Sequence, residues 1–369
     1  MIAIDRFFDT SGIDVAVGPF VSIPDVETLW RDLEPRSAGS FFLSWTWIGA
    51  WLKTSGVRPS VLTAHSAGRL VGLGLLNGVR RHRLGLRWPA LSLHETGAAK
   101  QDCIMIEDNG FLAERGREQA VTAVFLGHLA EALPSWRELR LGGVPESVAE
   151  LARDLDLPVR IEAERPSLFI DLAAMSNDGA IGTLSANTRQ QIGRSMRLYR
   201  ERGPLAVTRS NDIDDAAGRF AEMAALHQRR WTARGKRGAF AEPFFGRFHH
   251  ALLERGFTAG KVDVLRVAAG VSTIGLLYTF FHNGEAYAYQ NGFSVETDAR
   301  LKPGLVSHVL AAQYCRQSGL DRYGLLAGDS RYKRSLSTGS YELYWLSVRR
   351  PDLAFRVEQV ARRIAGREA

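Results

Sequence analysis

Four stretches of the chain gather side chains able to move protons or hold anions. Gly328-Asp329-Ser330-Arg331-Tyr332-Lys333 sets a carboxylate, a guanidinium, a phenol and an ammonium within one short run. Such groups act as general bases, general acids and anion ligands once they are held near a reacting atom. Upstream, Arg300-Leu301-Lys302-Pro303-Gly304-Leu305 puts cations ahead of a Pro-Gly helix start. The first amides of a helix lack internal partners and carry partial positive charge, which suits them to anions. Arg189, Arg194, Arg197, Arg200 and Arg202 stand against the single acid Glu201 on one predicted helix. Arg194 and Arg197 lie one turn apart there and are able to grip one anion together. The fourth stretch, Thr232-Ala233-Arg234-Gly235-Lys236-Arg237-Gly238, is a basic glycine loop without a strand-to-P-loop signature, read as a segment that folds over a substrate.

The elements that must position these groups run from Lys261 to Lys333. Val262–Ala268, Ser272–His282 and Glu285–Phe293 read as an antiparallel meander, with Asn283-Gly284 supplying the two-residue turn favoured between paired strands. Apolar residues then recur at helical spacing from Leu305, and Gly319 sits where that helix stops in the left-handed conformation. Tyr323–Leu326 follows as a short buried strand, which delivers Asp329 to the carboxyl end of the sheet. A helix from Asp214 to about Trp231 leads into the basic loop, and Tyr341–Val348 is the last strand.

The first half repeats the plan in a fainter form. Ser60–His65 and Leu70–Asn77 form a hairpin, Trp88–His94 and Cys103–Ile106 are further strands, and a helix spans Arg117–Leu133 before the strand Glu138–Leu141 and Gly142-Gly143. The fold class is therefore α+β, with two mixed, mostly antiparallel sheets flanked by helices. Residues 1–165 form a degenerate first domain, residues 166–348 the active one, and residues 349–369 a basic amphipathic helix. Trp45, Trp47 and Trp51 lie on a helix and pack in the core, or stack on a sugar ring if they line a cleft.

Composition narrows the classes. A chain of 369 residues with 45% hydrophobic and 24% charged content is long enough for two ordinary soluble domains. No apolar run is long enough to cross a bilayer, and Met1–Gly18 lacks the apolar segment of a secretory signal, so a cytoplasmic location is expected. Cys103 and Cys315 have no metal-like spacing, and no metal is expected. The net charge of +7 points to an anionic partner.

The ordered set Phe169-Ile170-Asp171-Leu172, Leu184-Ser185-Ala186-Asn187-Thr188-Arg189, His227-Gln228-Arg229-Arg230-Trp231, Ile274-Gly275, Tyr289-Gln290-Asn291-Gly292-Phe293, Lys302-Pro303-Gly304 and Gly328–Lys333 resembles GNAT-type acyltransferases of the CelD/BcsL group. That group is related to FemAB-like transferases and is associated with exopolysaccharide and cell-envelope synthesis. The resemblance covers about Ser167–Val348 well and the first half in outline. It implies tandem GNAT-like domains and transfer of an acyl group from acetyl-CoA or another acyl-CoA to an amine, with an amino sugar or glycan as acceptor.

On the same footing, Lys302, Gly304, Leu305, Asn291 and Arg300 hold the carrier. The chain departs from the usual loop here, because Arg300 stands one residue too early and Leu305-Val306 replaces the second small residue. Asp329 is the candidate general base or amine-positioning carboxylate. Tyr332 donates to the leaving sulfur, Lys333 holds the thioester carbonyl or a substrate phosphate, and Tyr289 opens the stretch that supplies oxyanion donors. Arg189, Arg194, Arg197 and Trp231 face the substrate. Two other readings compete: a FemAB-like transferase using aminoacyl-tRNA, and a regulatory protein binding a cyclic dinucleotide at Arg349-Arg350-Pro351-Asp352 and the arginines beyond. A DNA partner is not expected, and peripheral association with membrane-bound polysaccharide machinery is.

Overall fold

A computed structural model describes residues 10, 12–83, 86–132, 136–175 and 184–350. In chain order its elements are β1 (Ile13–Gly18), α1 (Ile23–Leu33), α2 (Trp45–Ser55), β2 (Ser60–Ser66), β3 (Arg69–Arg83), β4 (Leu86–Leu93), β5 (Leu112–Ala113), α3 (Glu118–Ala132), β6 (Glu138–Val144) and α4 (Glu146–Asp154). There follow β7 (Val159–Asp171), α5 (Ala186–Arg200), β8 (Leu205–Thr208), α6 (Ile213–Thr232), α7 (Pro243–Phe257), β9 (Val262–Ala269), β10 (Ser272–His282) and β11 (Glu285–Phe293). The chain closes with α8 (Pro303–Gln317), β12 (Arg322–Ala327), α9 (Arg331–Leu336) and β13 (Gly339–Arg349). Contacts group the chain into two compact units, one running to Glu164 and resuming at Leu343, the other spanning Arg165–Glu342. Sequence assigns the last strand to the second domain, whereas from Leu343 onward the residues group with the first unit.

In the first unit the strands order β1-β2-β3-β4-β6-β13, antiparallel except for β4 and β6, which pair in parallel at Ala90–Ser92 and Glu138–Arg140. Val121, Phe125 and Leu129 of α3 pack with Leu139, Leu141 and Leu346 in one apolar core. Just past the last β4–β6 pair, Asn109 closes the gap. Its side-chain amide donates to Leu93 O (3.2 Å) and Gly142 O (3.0 Å), and its oxygen meets His94 Nδ1 at 2.9 Å. Trp45, Trp47 and Trp51 are at most 2% exposed, so they are core residues and no sugar stacks on them.

The second unit orders β7-β12-β11-β10-β9-β8. Asn283 (φ 47°) and Gly284 (φ 78°) both take the left-handed conformation that a two-residue hairpin turn between β10 and β11 demands. The register between these strands then steps over Tyr289, with Tyr278 opposite Gln290 and Thr279 opposite Ala288. The parallel partner of β11 is β12, but pairing stops after Glu285–Tyr287 and Arg322–Gly324. Both strands run on, β11 to Phe293 and β12 to Ala327, so they part toward their carboxyl ends. Pro303 begins α8, whose Val306, Val309, Ala312 and Cys315 bury into the core, and Gly319 (φ 79°) follows its end. The same succession of meander, helix and parallel strand thus builds both units, β4-α3-β6 in one and β11-α8-β12 in the other.

Several elements differ from expectation. Cys103–Ile106 is no strand; it overlaps a 3-10 turn at Asp102–Ile104. Val159–Glu162 and Ser167–Leu172 merge into the single strand β7. The helices α1, α7 and α9 were not expected. The C-terminal basic helix lies outside the described residues from Pro351 onward. Among the described residues no helix is long and apolar enough to cross a membrane.

Asn109→Ala leaves two buried carbonyls without their donor. It should lower unfolding stability by about 3 kcal/mol, read as a shift in the urea midpoint; an unchanged midpoint contradicts the role given to this side chain.

Candidate active site

The start of α8 sets the site. A helix leaves its first amides without internal acceptors, and with Pro303 in first place the free donors are those of Gly304 and Leu305. Lys302 N is fixed by Ser195 Oγ, in the second half of α5, at 2.8 Å, which ties the start of α8 to the body of that helix. A side chain on Gly304 would meet the Phe293 ring at 3.2 Å, so the glycine is needed for that ring to lie against the helix. Around this point opens a cleft of about 870 Å³. Asn187, Thr188 and Gln191 of α5 form one wall; Arg229, Arg230 and Arg234 stand at the end of α6 and just beyond it. Phe293 to Glu296 and Leu301 to Leu305 form the floor, with Arg331, Tyr332 and Ser335 of α9 closing the side.

Tyr332 is the group in this cleft best held for proton transfer. Its hydroxyl lies within reach of the Asn291 side chain, and burial raises its pKa despite that neighbour and the nearby Arg230 charge. The phenol is therefore protonated at neutral pH. The ring of His308, one turn into α8, stacks on it at 5.5 Å with planes 17° apart. Nδ1 of His308 meets the Tyr323 hydroxyl at 3.0 Å. Burial, with the Lys333 and Arg230 charges, pushes the imidazole down to about 3, so it is neutral and serves as packing behind Tyr332.

Charge in the cleft is one-sided. Arg229, Arg230, Arg234, Lys302 and Arg331 line it, and Glu296 is the carboxylate among the lining residues. Glu296 is already committed. It accepts from Arg202 Nη2 (2.8 Å) and Nη1 (3.1 Å), the Tyr199 hydroxyl (3.2 Å) and Ser294 Oγ (2.9 Å). Burial works to raise its pKa, but these hydrogen bonds and the Arg202 charge outweigh it and hold the carboxyl below its ordinary range. The clamp pins the segment leading from β11 to α8.

The expected residues divide. Lys302, Gly304, Leu305 and Tyr332 meet in the cleft, and Asn291 reaches Tyr332. Asp329 stays outside. It is exposed and forked by Arg334, whose Nη2 lies 2.6 Å from Oδ2 and whose hydrogen bond and charge depress the carboxyl pKa, the opposite of what a base needs. Lys333 does not reach into the cleft either. Its Nζ donates to Ala327 O (2.7 Å) and Leu326 O (3.2 Å), tying α9 to the end of β12.

Tyr289 packs in an aromatic cluster with Phe280 (5.0 Å) and His249 (4.9 Å). Arg300 forks the carboxylate of Asp298 in solvent, and Arg189, Arg194 and Arg197 are exposed away from the cleft lining. Trp231 does not line the cleft; its ring carries Lys236 at 5.4 Å and braces the glycine loop. Arg349, expected at a nucleotide site, lies over the Trp88 ring at 5.2 Å.

Sequence reasoning missed Arg229, Arg230 and the Glu296 clamp as site groups. The signal for the arginines was their place in the last turn of a helix that runs into a basic loop. Among the described residues no group of three or more His, Cys, Asp or Glu is placed to hold a metal. Burial pushes the Cys315 thiol up to about 12, which makes it inert.

Residues 186–334 match the family model described as an acetyltransferase (GNAT) domain. The crystal structure of FemX is similar over 94% of this chain and 99% of its own, with a TM-score of 0.59 at 10% identity. The C-terminal domain of a putative lysylphosphatidylglycerol synthetase from Agrobacterium fabrum is similar over 89% of this chain and 92% of its own, with a TM-score of 0.53 at 13% identity. L-PGS from Bacillus licheniformis is similar over 94% of this chain and 98% of its own, with a TM-score of 0.52 at 12% identity. At these identities the likeness is one of fold. No curated protein matches the chain in sequence.

Because the Glu296 pKa is depressed in the folded protein, its stabilising effect is complete above the unfolded carboxylate value near pH 4.3 and fades as pH falls through the folded pKa. Melting temperature should therefore drop more between pH 5 and about pH 3 in the wild type than in Glu296→Gln. Parallel curves would show that the clamp carries no such linkage.

Proposed function

We propose that this chain, an acyltransferase of the GNAT type, moves an acetyl or longer acyl group from acyl-CoA, or another thioester carrier, to an amine on an amino sugar of exopolysaccharide or cell-envelope synthesis. The observation that carries the reading is one cleft joining the free amides at the start of α8 to the Tyr332 side chain. Phosphates of the carrier sit on the amides of Gly304 and Leu305 beside Lys302. The acyl arm runs toward the parting of β11 and β12, where backbone donors of Gln290 to Gly292 face the developing oxyanion.

In the reaction, the amine nitrogen bonds to the carbonyl carbon and the carbon–sulfur bond breaks. The sulfur takes a proton from the Tyr332 hydroxyl, and the proton shed by the nitrogen returns to Tyr332 through water. With Asp329 outside the cleft, the charge of the cleft prepares the nucleophile instead. Cations near an ammonium disfavour its charged form and so release the neutral amine.

A second reading, in which the donor is an aminoacyl-RNA, is favoured by the exposed arginines of α5 at Arg189, Arg194 and Arg197. Titration with acetyl-CoA at two salt concentrations, and with a short aminoacylated RNA as competitor, separates the two donors.

Tyr332→Phe should reduce kcat about a hundredfold with the donor Kd unchanged. Lys302→Ala should instead weaken acetyl-CoA binding about tenfold, which corresponds to roughly 1.4 kcal/mol. Thiol release measured against candidate amines reads both effects. Full activity in Tyr332→Phe removes the phenol from the mechanism, and unaltered binding in Lys302→Ala moves the carrier elsewhere.

A further inference from the structure

The cleft holds more positive charge than the start of α8 accounts for. Lys302 and the two free amides form one anion site, on one element. Arg229, Arg230 and Arg234 come from another, the end of α6 and the loop after it, and Arg331 adds a cation one residue before Tyr332. Phe293 touches both groups, because its ring packs on Gly304 and lies 5.7 Å under the Arg230 guanidinium. Among the described residues none of these four arginines has a carboxylate partner, while the lining carboxylate, Glu296, is held by Arg202, Tyr199 and Ser294. Like charges gathered in a cleft repel each other and lose hydration, a cost offset only when an anion enters. Partial burial and the charge of Arg234 already lower the pKa of Arg230.

Position decides whose anion this is. Arg230 is close enough to Tyr332 for its charge to act on the phenol. In a CoA-type carrier the diphosphate and the thioester lie at opposite ends of an extended arm. A diphosphate on the amides of α8 beside Lys302, with the thioester directed at Tyr332, therefore leaves Arg230 and Arg331 near the phenol, and the arginines that line the cleft with them, without a counter-charge. The second anion has to arrive with the nucleophile. Guanidinium forks match phosphate oxygens, and three on one helix end are suited to a phosphate or diphosphate ester.

We infer that the acceptor is a phosphate-bearing amine whose phosphate is held by Arg229, Arg230 and Arg234 while its amine faces the acyl carbonyl. This rests on the donor reading given above and specifies the acceptor class for the same site. The phosphate belongs either to a phosphosugar or to a nucleotide-linked sugar, which share this chemistry.

Calorimetry of glucosamine, glucosamine 6-phosphate and UDP-glucosamine into the full chain, with and without saturating CoA, tests it. At least one of the two esters should bind the CoA-loaded protein at least tenfold tighter than glucosamine, and the tighter ester identifies the source. In the triple variant Arg229→Gln, Arg230→Gln, Arg234→Gln the ester should bind about thirtyfold more weakly, with CoA affinity changed less than about threefold. The variant should melt close to the wild type, since it loses the repulsion among the arginines and no carboxylate partner, against the one contact of Arg230 with the Phe293 ring; the single change Arg230→Gln serves as the same test if the triple variant fails to fold. Equal binding of glucosamine and both esters, or parallel loss of CoA and ester, overturns the inference. If wild-type CoA binding is absent while ester binding is present and lost in the variant, the donor reading fails and the acceptor site stands.

Discussion

The parting of two parallel strands governs this protein. Strands β11 and β12 share hydrogen bonds only from Glu285 to Tyr287 and then diverge, and a parallel pair that diverges leaves backbone groups and space that something must fill. The first unit meets the same constraint with its own chain, by sending the Asn109 amide across from Leu93 O to Gly142 O. In the second unit the corresponding place is approached by side chains, Asn291 from β11 meeting Tyr332 from α9. One plan therefore carries a buried amide staple at this place in the first unit and a cleft at the start of α8 in the second.

Electrostatics completes the division of labour. Cations line the cleft, and the nearby carboxylates are withheld from them: Glu296 by Arg202 and Tyr199, Asp298 by Arg300, Asp329 by Arg334. These pairings keep negative charge off the cleft arginines. Exposed pairs such as Asp329 with Arg334 contribute little stability, so their effect lies in where charge is left over. His308, kept neutral by burial, supports Tyr332 without adding to that charge.

What sequence revealed and what it hid follow from range. Asn283-Gly284 and Pro303-Gly304 act through local backbone geometry, and both were legible without tertiary knowledge. The helix α7 carried a legible signal too, since Phe244, Phe245, Phe248, His249, Leu252 and Leu253 recur at helical spacing and bury on one face, a stripe the sequence reading passed over. Arg194 and Arg197 looked functional by density alone. Burial of Ile192, Ser195 and Tyr199 sets the rotation of α5, and Asn187, Thr188 and Gln191 line the cleft in their place. The pairing of Asp329 with Arg334 was hidden because the short helix α9 turns that guanidinium back onto the carboxylate, a fold of a few residues with no periodicity to read.

The central claim is that the amides opening α8 are the anchor for an acyl carrier. Hydrogen exchange of the full chain with and without acetyl-CoA measures it directly, at the amides of Gly304 and Leu305, which have no acceptor within the helix. The account predicts that these two slow markedly on addition of the carrier, together with the segment from Ser294 to Lys302 that leads into them. Protection that appears elsewhere, with exchange at Gly304 and Leu305 unchanged under saturating carrier, would contradict it.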